Sequence, residues 1–167
     1  MKVIPMTLRT VFFTMVCLVV TALHAEQDMN KHTGKCVTKN GINDCKMSAV
    51  GSINLAQTNG KYNAKNIFLK MNNKMDGELR LYHEKAKGTD FVRGEFALDN
   101  MSSQKLFVKY RVILKDKKGI VAQTAGYIHL TDGRRQKKKI SYIELRKQDI
   151  KNIASYEIKI DASNKEH

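Results

Sequence analysis

Leu106-Phe107-Val108-Lys109-Tyr110-Arg111-Val112-Ile113-Leu114-Lys115 is the stretch that decides the fold class. Leu106, Val108, Tyr110, Val112 and Leu114 fall at every second position, and Lys109, Arg111 and Lys115 fall on the other face, interrupted by Phe107 and Ile113. Successive side chains of a pleated strand point to opposite faces, so this period lets one face bury while the other meets water. A helix would need apolar residues three and four apart.

Working outward, the same alternation returns between turn signals. Asp116-Lys117-Lys118-Gly119 reads as a hairpin turn, Ile120 to Leu130 as its return strand, and Thr131-Asp132-Gly133 as the next turn. Ile140 to Leu145 and Ser155 to Ile160 are further strands, joined by a short connection over Lys147 to Asn152. Upstream, Val92, Gly94, Phe96 and Leu98 share a face, and Ile67, Leu69 and Met71 form a short strand. The cluster Asn72 to Gly77 turns with Asp76-Gly77 as its hairpin dipeptide, and Leu79, Leu81 and His83 alternate after it. Met47 to Gln57 suits a first strand or a short helix. The only proline is Pro5, so no breaker interrupts these segments. Short strands at this spacing predict an all-β domain, an antiparallel sandwich of about seven strands.

Several of these segments resemble a known family. Gly94 to Ser103, with its glycine, strand and Asn100-Met101-Ser102, resembles the opening of FxLyD-type immunoglobulin-like modules. Val108 to Gly119 is similar to their central strand and Asp-x-x-Gly turn, and Ser155-Tyr156-Glu157-Ile158-Lys159-Ile160 to their closing strand. The Tyr110-Arg111 pair also resembles YcfL-type envelope lipoproteins. The resemblance covers residues 92 to 160. The chain differs at Leu130 to Ile140, where Asp132-Gly133 and a basic run stand in place of a proline-glycine turn. The resemblance implies an immunoglobulin-like sandwich in a bacterial envelope, usually non-catalytic, and it carries no active site.

The N-terminus has the pattern of an export signal. Lys2 and Arg9 precede an apolar core, Val11 to Leu23, too short for a comfortable membrane span. Cleavage after Ala25 or Ala22 and retention of the leader all remain open. Thr14-Met15-Val16 before Cys17 does not fit a lipoprotein signal, so Cys17 reads as part of the apolar core. The expected organisation is a leader over 1–25, a segment over 26–46 holding a disulfide loop, a β-sandwich over 47–162 and a tail over 163–167. An exported chain with two remaining cysteines predicts a Cys36–Cys45 disulfide around the Asn40-Gly41 turn. The expected location is the periplasm of a Gram-negative envelope.

The whole chain carries a formal charge of +14, and the leader holds two of its bases and no acid. A balance of this sign attracts anionic partners without dictating a fold. Arg134-Arg135-Gln136-Lys137-Lys138-Lys139 is the densest cationic run, read as a loop and the start of a strand. It can grip phosphates, steer an acidic protein, or serve as a lysine-rich sheet edge that discourages edge-to-edge pairing. Lys115, Lys117 and Lys118 are candidates to join it. No aromatic residue interleaves the run, which argues against nucleic acid. Peripheral contact with a membrane and the oligomeric state are left open.

The remaining chemistry is sparse. His32, His83, His129 and His167 form no closely spaced metal-binding pair, so neither a metal nor a cofactor is expected. There is no Gly-x-Ser-x-Gly elbow, P-loop or dinucleotide glycine pattern. A cleft holding His83 or His129 beside acids would turn the reading toward a hydrolase. Tyr110, Tyr127, Tyr142 and Tyr156 fall in successive strands and suit packing at the core and its edge. The function expected is a non-enzymatic exported protein of the cell envelope. It would recognise a protein or an anionic partner through strand faces and a basic loop, within a secretion or surface apparatus. The alternative is a periplasmic inhibitor or immunity-type protein acting through the disulfide loop.

Overall fold

The computed structural model describes residues 31–166. The leader over 1–25, its cleavage position and His167 lie outside the described residues, as do the side chains of Lys139, Ile140, Ser141 and Tyr142. Nine strands follow one another: β1 (Lys31–Lys39), β2 (Ile42–Ser52), β3 (Lys65–Met71), β4 (Met75–Ala86), β5 (Thr89–Asn100), β6 (Leu106–Lys115), β7 (Ile120–Leu130), β8 (Arg135–Glu144) and β9 (Ser155–Ser163). Two short 3-10 turns, Leu55–Gln57 and Lys61–Asn63, join β2 to β3, and the helix α1 (Lys147–Asn152) joins β8 to β9.

The central stretch behaves as its period demands. Leu106, Val108, Tyr110, Val112 and Leu114 are all buried, and Lys109 and Arg111 are exposed. On either side β6 pairs antiparallel with β7 and with β9, for instance Tyr110 opposite Gly126 and Ile160. About seven strands were expected; the described residues form one series of nine, in the order β7-β6-β9-β2-β1-β3-β4-β5-β8. The two end strands, β7 and β8, approach each other, so the sheet is rolled and nearly closed into a barrel. A rolled sheet gives every strand one face toward a shared interior. That interior holds Ala49, Ile67, Leu69, Leu79, Phe96, Leu98, Tyr156 and Ile158, each under two per cent exposed. Burial of each large side chain of this kind is worth about 1.5–3 kcal/mol. Leu55, Ile150 of α1 and Ile153 behind it belong to the same buried core.

Two local readings change. The described part of the segment expected over 26–46 does not stand apart from the sheet. Cys36 and Cys45 are bonded, and they sit directly opposite each other in the β1–β2 hairpin, so the disulfide loop is itself sheet. Its turn is the expected one, with Asn40 and Gly41 at φ of 51° and 75°, the paired positive dihedrals that suit a two-residue hairpin. β2 then runs on to pair with β9 from Asp44 opposite Ser163 to Ser52 opposite Ser155. The second change concerns Asp76-Gly77. The β3–β4 turn is made by Asn72 to Lys74, with Asn72 at φ 44° and the Lys74 N–H donating to the Met71 carbonyl. Gly77 lies inside β4, where a Cβ would collide with the backbone of Ala97. Two turn signals competed within six residues, and the glycine is required by close strand approach instead.

Candidate binding surfaces

The basic run lies in a strand, and that divides it. β8 pairs with β5 so that Arg135 faces Asp99, Lys137 faces Ala97 and Lys139 faces Glu95, while Gln136 and Lys138 alternate with them opposite Leu98 and Phe96. With a side-chain period of two, Arg135 and Lys137 belong to the outer face and Lys138 to the inner one. Lys138 stays exposed beside fully buried Phe96 because β8 is an end strand of the sheet. An inward-directed lysine at an edge discourages pairing with another chain.

Acids of the neighbouring strands take up one base. The Arg135 guanidinium lies 3.4 Å from Asp99 Oδ2 and 3.8 Å from Glu78 Oε1. Glu78 is only 8% exposed and also accepts from Arg80 Nε at 2.8 Å. Arg134, Lys137 and Lys138 are exposed and make no ion pair among the described residues. The three lysines proposed to extend the run do not join it. The strand β7 separates the turn at Asp116–Gly119 from the turn at Thr131–Arg134 by eleven residues, about 35 Å of extended chain. Lys117 and Lys118 are exposed at the far end, and Lys115 is bonded to Glu157 Oε2. Hydrogen bonds from Lys115, and then from Lys159, hold the Glu157 carboxyl down at about 2.

The disulfide hairpin presents a different surface. Val37 and Ile42, on either side of its turn, are 65% and 40% exposed. Its tip is held by more than the disulfide. Thr38 Oγ1 donates to Asn43 Oδ1 at 2.7 Å, and the Asn43 N–H donates to Asn164 Oδ1 at 2.8 Å.

Two histidines acquire acidic neighbours. His83 Nε2 lies 2.6 Å from Asp90 Oδ1, with both side chains largely buried between β4 and β5. The Thr58 hydroxyl accepts the His83 N–H at 2.7 Å and donates to the Leu55 carbonyl at 2.8 Å. That hydroxyl is committed to backbone at both ends and ties the β2–β3 connection to β4. His129 stacks edge-on against Phe107, with ring centroids 5.1 Å apart, on the outer face of β7 and β6. Among the described residues no three His, Cys, Asp or Glu side chains come together as a metal site.

His129 also lines a groove that the sequence does not announce, with Asp44, Asp161, Glu166 and Ser163 among the other lining residues, and it makes no hydrogen bond or ion pair with any of these four. Four strands build it in two registered rows. Asp44, Ser163, Phe107 and His129 form one row across β2, β9, β6 and β7, and Lys46, Asp161, Lys109 and Tyr127 form the next. The groove has a volume of 880 Å³. These residues are separated by up to 119 positions in sequence, from Asp44 to Ser163, and no local pattern marks them as a set.

The chain is thus an all-β protein with a rolled sheet, an exposed basic turn, a disulfide-tied hairpin and a groove whose lining includes Ile42 of that hairpin. No family model matches it. No curated protein sequence matches it either. Among solved structures it is similar to the Salmonella enterica trimeric lipoprotein SadB, with 13% identity and a TM-score of 0.37 over 93% of this chain and 75% of that one.

Proposed function

We propose that the protein is an exported, non-enzymatic binding or assembly protein of a bacterial cell envelope, recognising a protein or an anionic partner through the β7–β8 turn and the adjoining exposed part of β8. The observation that carries this reading is the uncompensated charge at that turn. Arg134, Lys137 and Lys138 are exposed without ion pairs among the described residues, whereas Arg135 beside them is held by Asp99 and Glu78. The Cys36–Cys45 disulfide supports an oxidising compartment such as the periplasm. The immunoglobulin-like reading of residues 92–160 belongs to the same proposal. It is supported by β6 lying between β7 and β9, with the Asp116–Gly119 turn at its end.

The test is binding to phosphatidylglycerol vesicles and to an immobilised acidic protein at low and high salt. The triple variant Arg134→Gln, Lys137→Gln, Lys138→Gln should bind both more weakly and with a shallower salt dependence, since fewer counterions are displaced. Equal binding by the variant and the parent would remove the turn from the account.

A second reading is favoured by the disulfide hairpin. Exposed Val37 and Ile42 on a tip tied by Cys36–Cys45 and Thr38–Asn43 form the kind of rigid, partly apolar projection that an inhibitor or immunity-type protein inserts into a partner. Val37→Asp would abolish such binding and leave the salt-dependent interaction intact.

A further inference from the structure

We infer that the groove across β2, β9, β6 and β7 is a binding site for a neutral oligosaccharide. The shape follows from side-chain lengths. Asp161 and Ser163 on β9 are short, and they lie between longer residues, Lys46 on β2 and Phe107 and Lys109 on β6, with Tyr127 and His129 beyond. Short residues along a central strand with long ones on both sides make a trough. Its volume of 880 Å³ falls within the range of about 300–1,000 Å³ common for ligand sites.

The lining chemistry selects the ligand. Lys46, Asp161 and Lys109 are direct cross-strand neighbours, so the two signs alternate along one row. Asp44 and Glu166 add two more carboxylates. An anion would meet Asp44, Asp161 and Glu166, and a cation would meet Lys46 and Lys109. A ligand with many hydroxyl groups and no charge suits both, because each hydroxyl donates to a carboxylate and accepts from an ammonium. A ring face is also available. Tyr127 is 62% exposed, with Lys109 Nζ 6.0 Å from its ring centroid, and the Phe107–His129 pair stands beside it in the next row. An aromatic plane next to paired donors and acceptors matches a sugar, which has an apolar face of C–H groups and a polar rim. The site is separate from the cationic turn. It lacks the net positive charge that the turn presents, so the two surfaces recognise different ligands.

The experiment is an NMR titration of the intact protein with neutral oligosaccharides of hexose and of N-acetylhexosamine units, followed at Tyr127, His129 and Phe107. Saturable shifts confined to the groove are expected with at least one neutral oligosaccharide. Tyr127→Ala should weaken that binding about tenfold or more. Asp161→Asn, which keeps the shape and removes an acceptor charge, should weaken it as well, while Lys117→Ser with Lys118→Ser should leave it unchanged. Neither Tyr127 nor Asp161 is buried, so the variants report on binding and not on folding. Absence of saturable shifts with every neutral oligosaccharide would overturn the inference. So would saturation of the groove by acidic oligosaccharides alone.

Discussion

Tyr110 and Gly126 stand directly opposite each other on β6 and β7, and the phenol of one occupies the space a side chain on the other would need. A Cβ at position 126 would come within 2.6 Å of the Tyr110 hydroxyl oxygen and 2.8 Å of Cζ. The same arrangement recurs between Tyr156 and Gly51 on β9 and β2, where an added Cβ would also collide with the phenol. In each pair the tyrosine covers backbone that glycine leaves bare, and the ring gains a flat partner inside the rolled sheet. Phe96 packs on Tyr110 with ring centroids 4.8 Å apart, which ties β5 to β6 across the interior.

Gly126→Ala should therefore destabilise the fold by about 1–3 kcal/mol, the range for forcing extra atoms into a packed core. A urea titration would show a lower midpoint with an unchanged slope. Combining Gly126→Ala with Tyr110→Leu should cost less than the sum of the two single changes, because the collision is gone. Additive losses would show that the two residues are not coupled.

Much of this sheet was legible in the chain because a strand with a period of two has one dry face and one wetter face. Ser155 to Ile160 meets that condition, and Leu106 to Lys115 meets it apart from Phe107 and buried Ile113. β1 does not. Lys31–Lys39 carries His, Thr, Gly and Lys, and only Gly34 is buried there, so its place in the sheet comes from pairing with β2 and not from its own pattern. The strand number and the rolled order depend on which edges meet, and alternation carries no information about that. The basic run was visible as charge, but its division between two faces became apparent only once β8 was known to be a strand. The groove was illegible because four strands contribute to it by register alone.

Tyr156 is fully buried, and its hydroxyl is hydrogen-bonded to His32 Nε2 at 2.7 Å. Burial pushes the Tyr156 phenol up to about 12 and lowers the His32 imidazole below 6.5. For the phenol, the unfolded chain loses its proton first as pH rises above 10, so the folded state loses stability between about 10 and 12. For the imidazole, the unfolded chain gains its proton first as pH falls below 6.5, so stability is also lost on the acid side. The pair thus favours the fold most between about pH 6.5 and 10. Thermal unfolding of His32→Phe, compared with the parent across pH 4 to 7, should lose part of the acid-side decline. An identical decline would place its origin elsewhere.

Asn100 joins three segments at one end of the sheet. Its Nδ2 donates toward the carbonyls of Gln104, Leu130 and Thr131 at 2.8, 3.3 and 3.2 Å, and its Oδ1 accepts from the N–H and hydroxyl of Ser102 at 2.9 and 2.7 Å. The side chain is 2% exposed. Although Asn100-Met101-Ser102 has the form of a glycosylation sequon, the amide is enclosed and its protons are engaged. Asn100→Ala leaves buried carbonyls without donors and should cost about 1–3 kcal/mol. Asn100→Asp should be worse at neutral pH, since it turns a carboxylate toward three carbonyl oxygens. Denaturant midpoints in the order parent, Ala, Asp would support this, and a midpoint for Ala equal to the parent's would refute it.

Glu157 lies on the outer face of β9, between Lys115 and Lys159, and their hydrogen bonds hold its carboxyl at about 2. A depressed carboxylate contributes stability above the unfolded value of 4.5, and that contribution is lost as pH falls toward 2. Glu157→Gln removes the charge and leaves two lysines facing each other across a neutral amide. The variant should therefore melt lower than the parent at pH 7, and the difference should shrink through the window from 4.5 to 2 and vanish below it. High salt should reduce the difference at pH 7, because the pair sits at the surface where mobile ions screen it. A difference that persists unchanged at pH 2 would mean that Glu157 acts through its shape and not its charge.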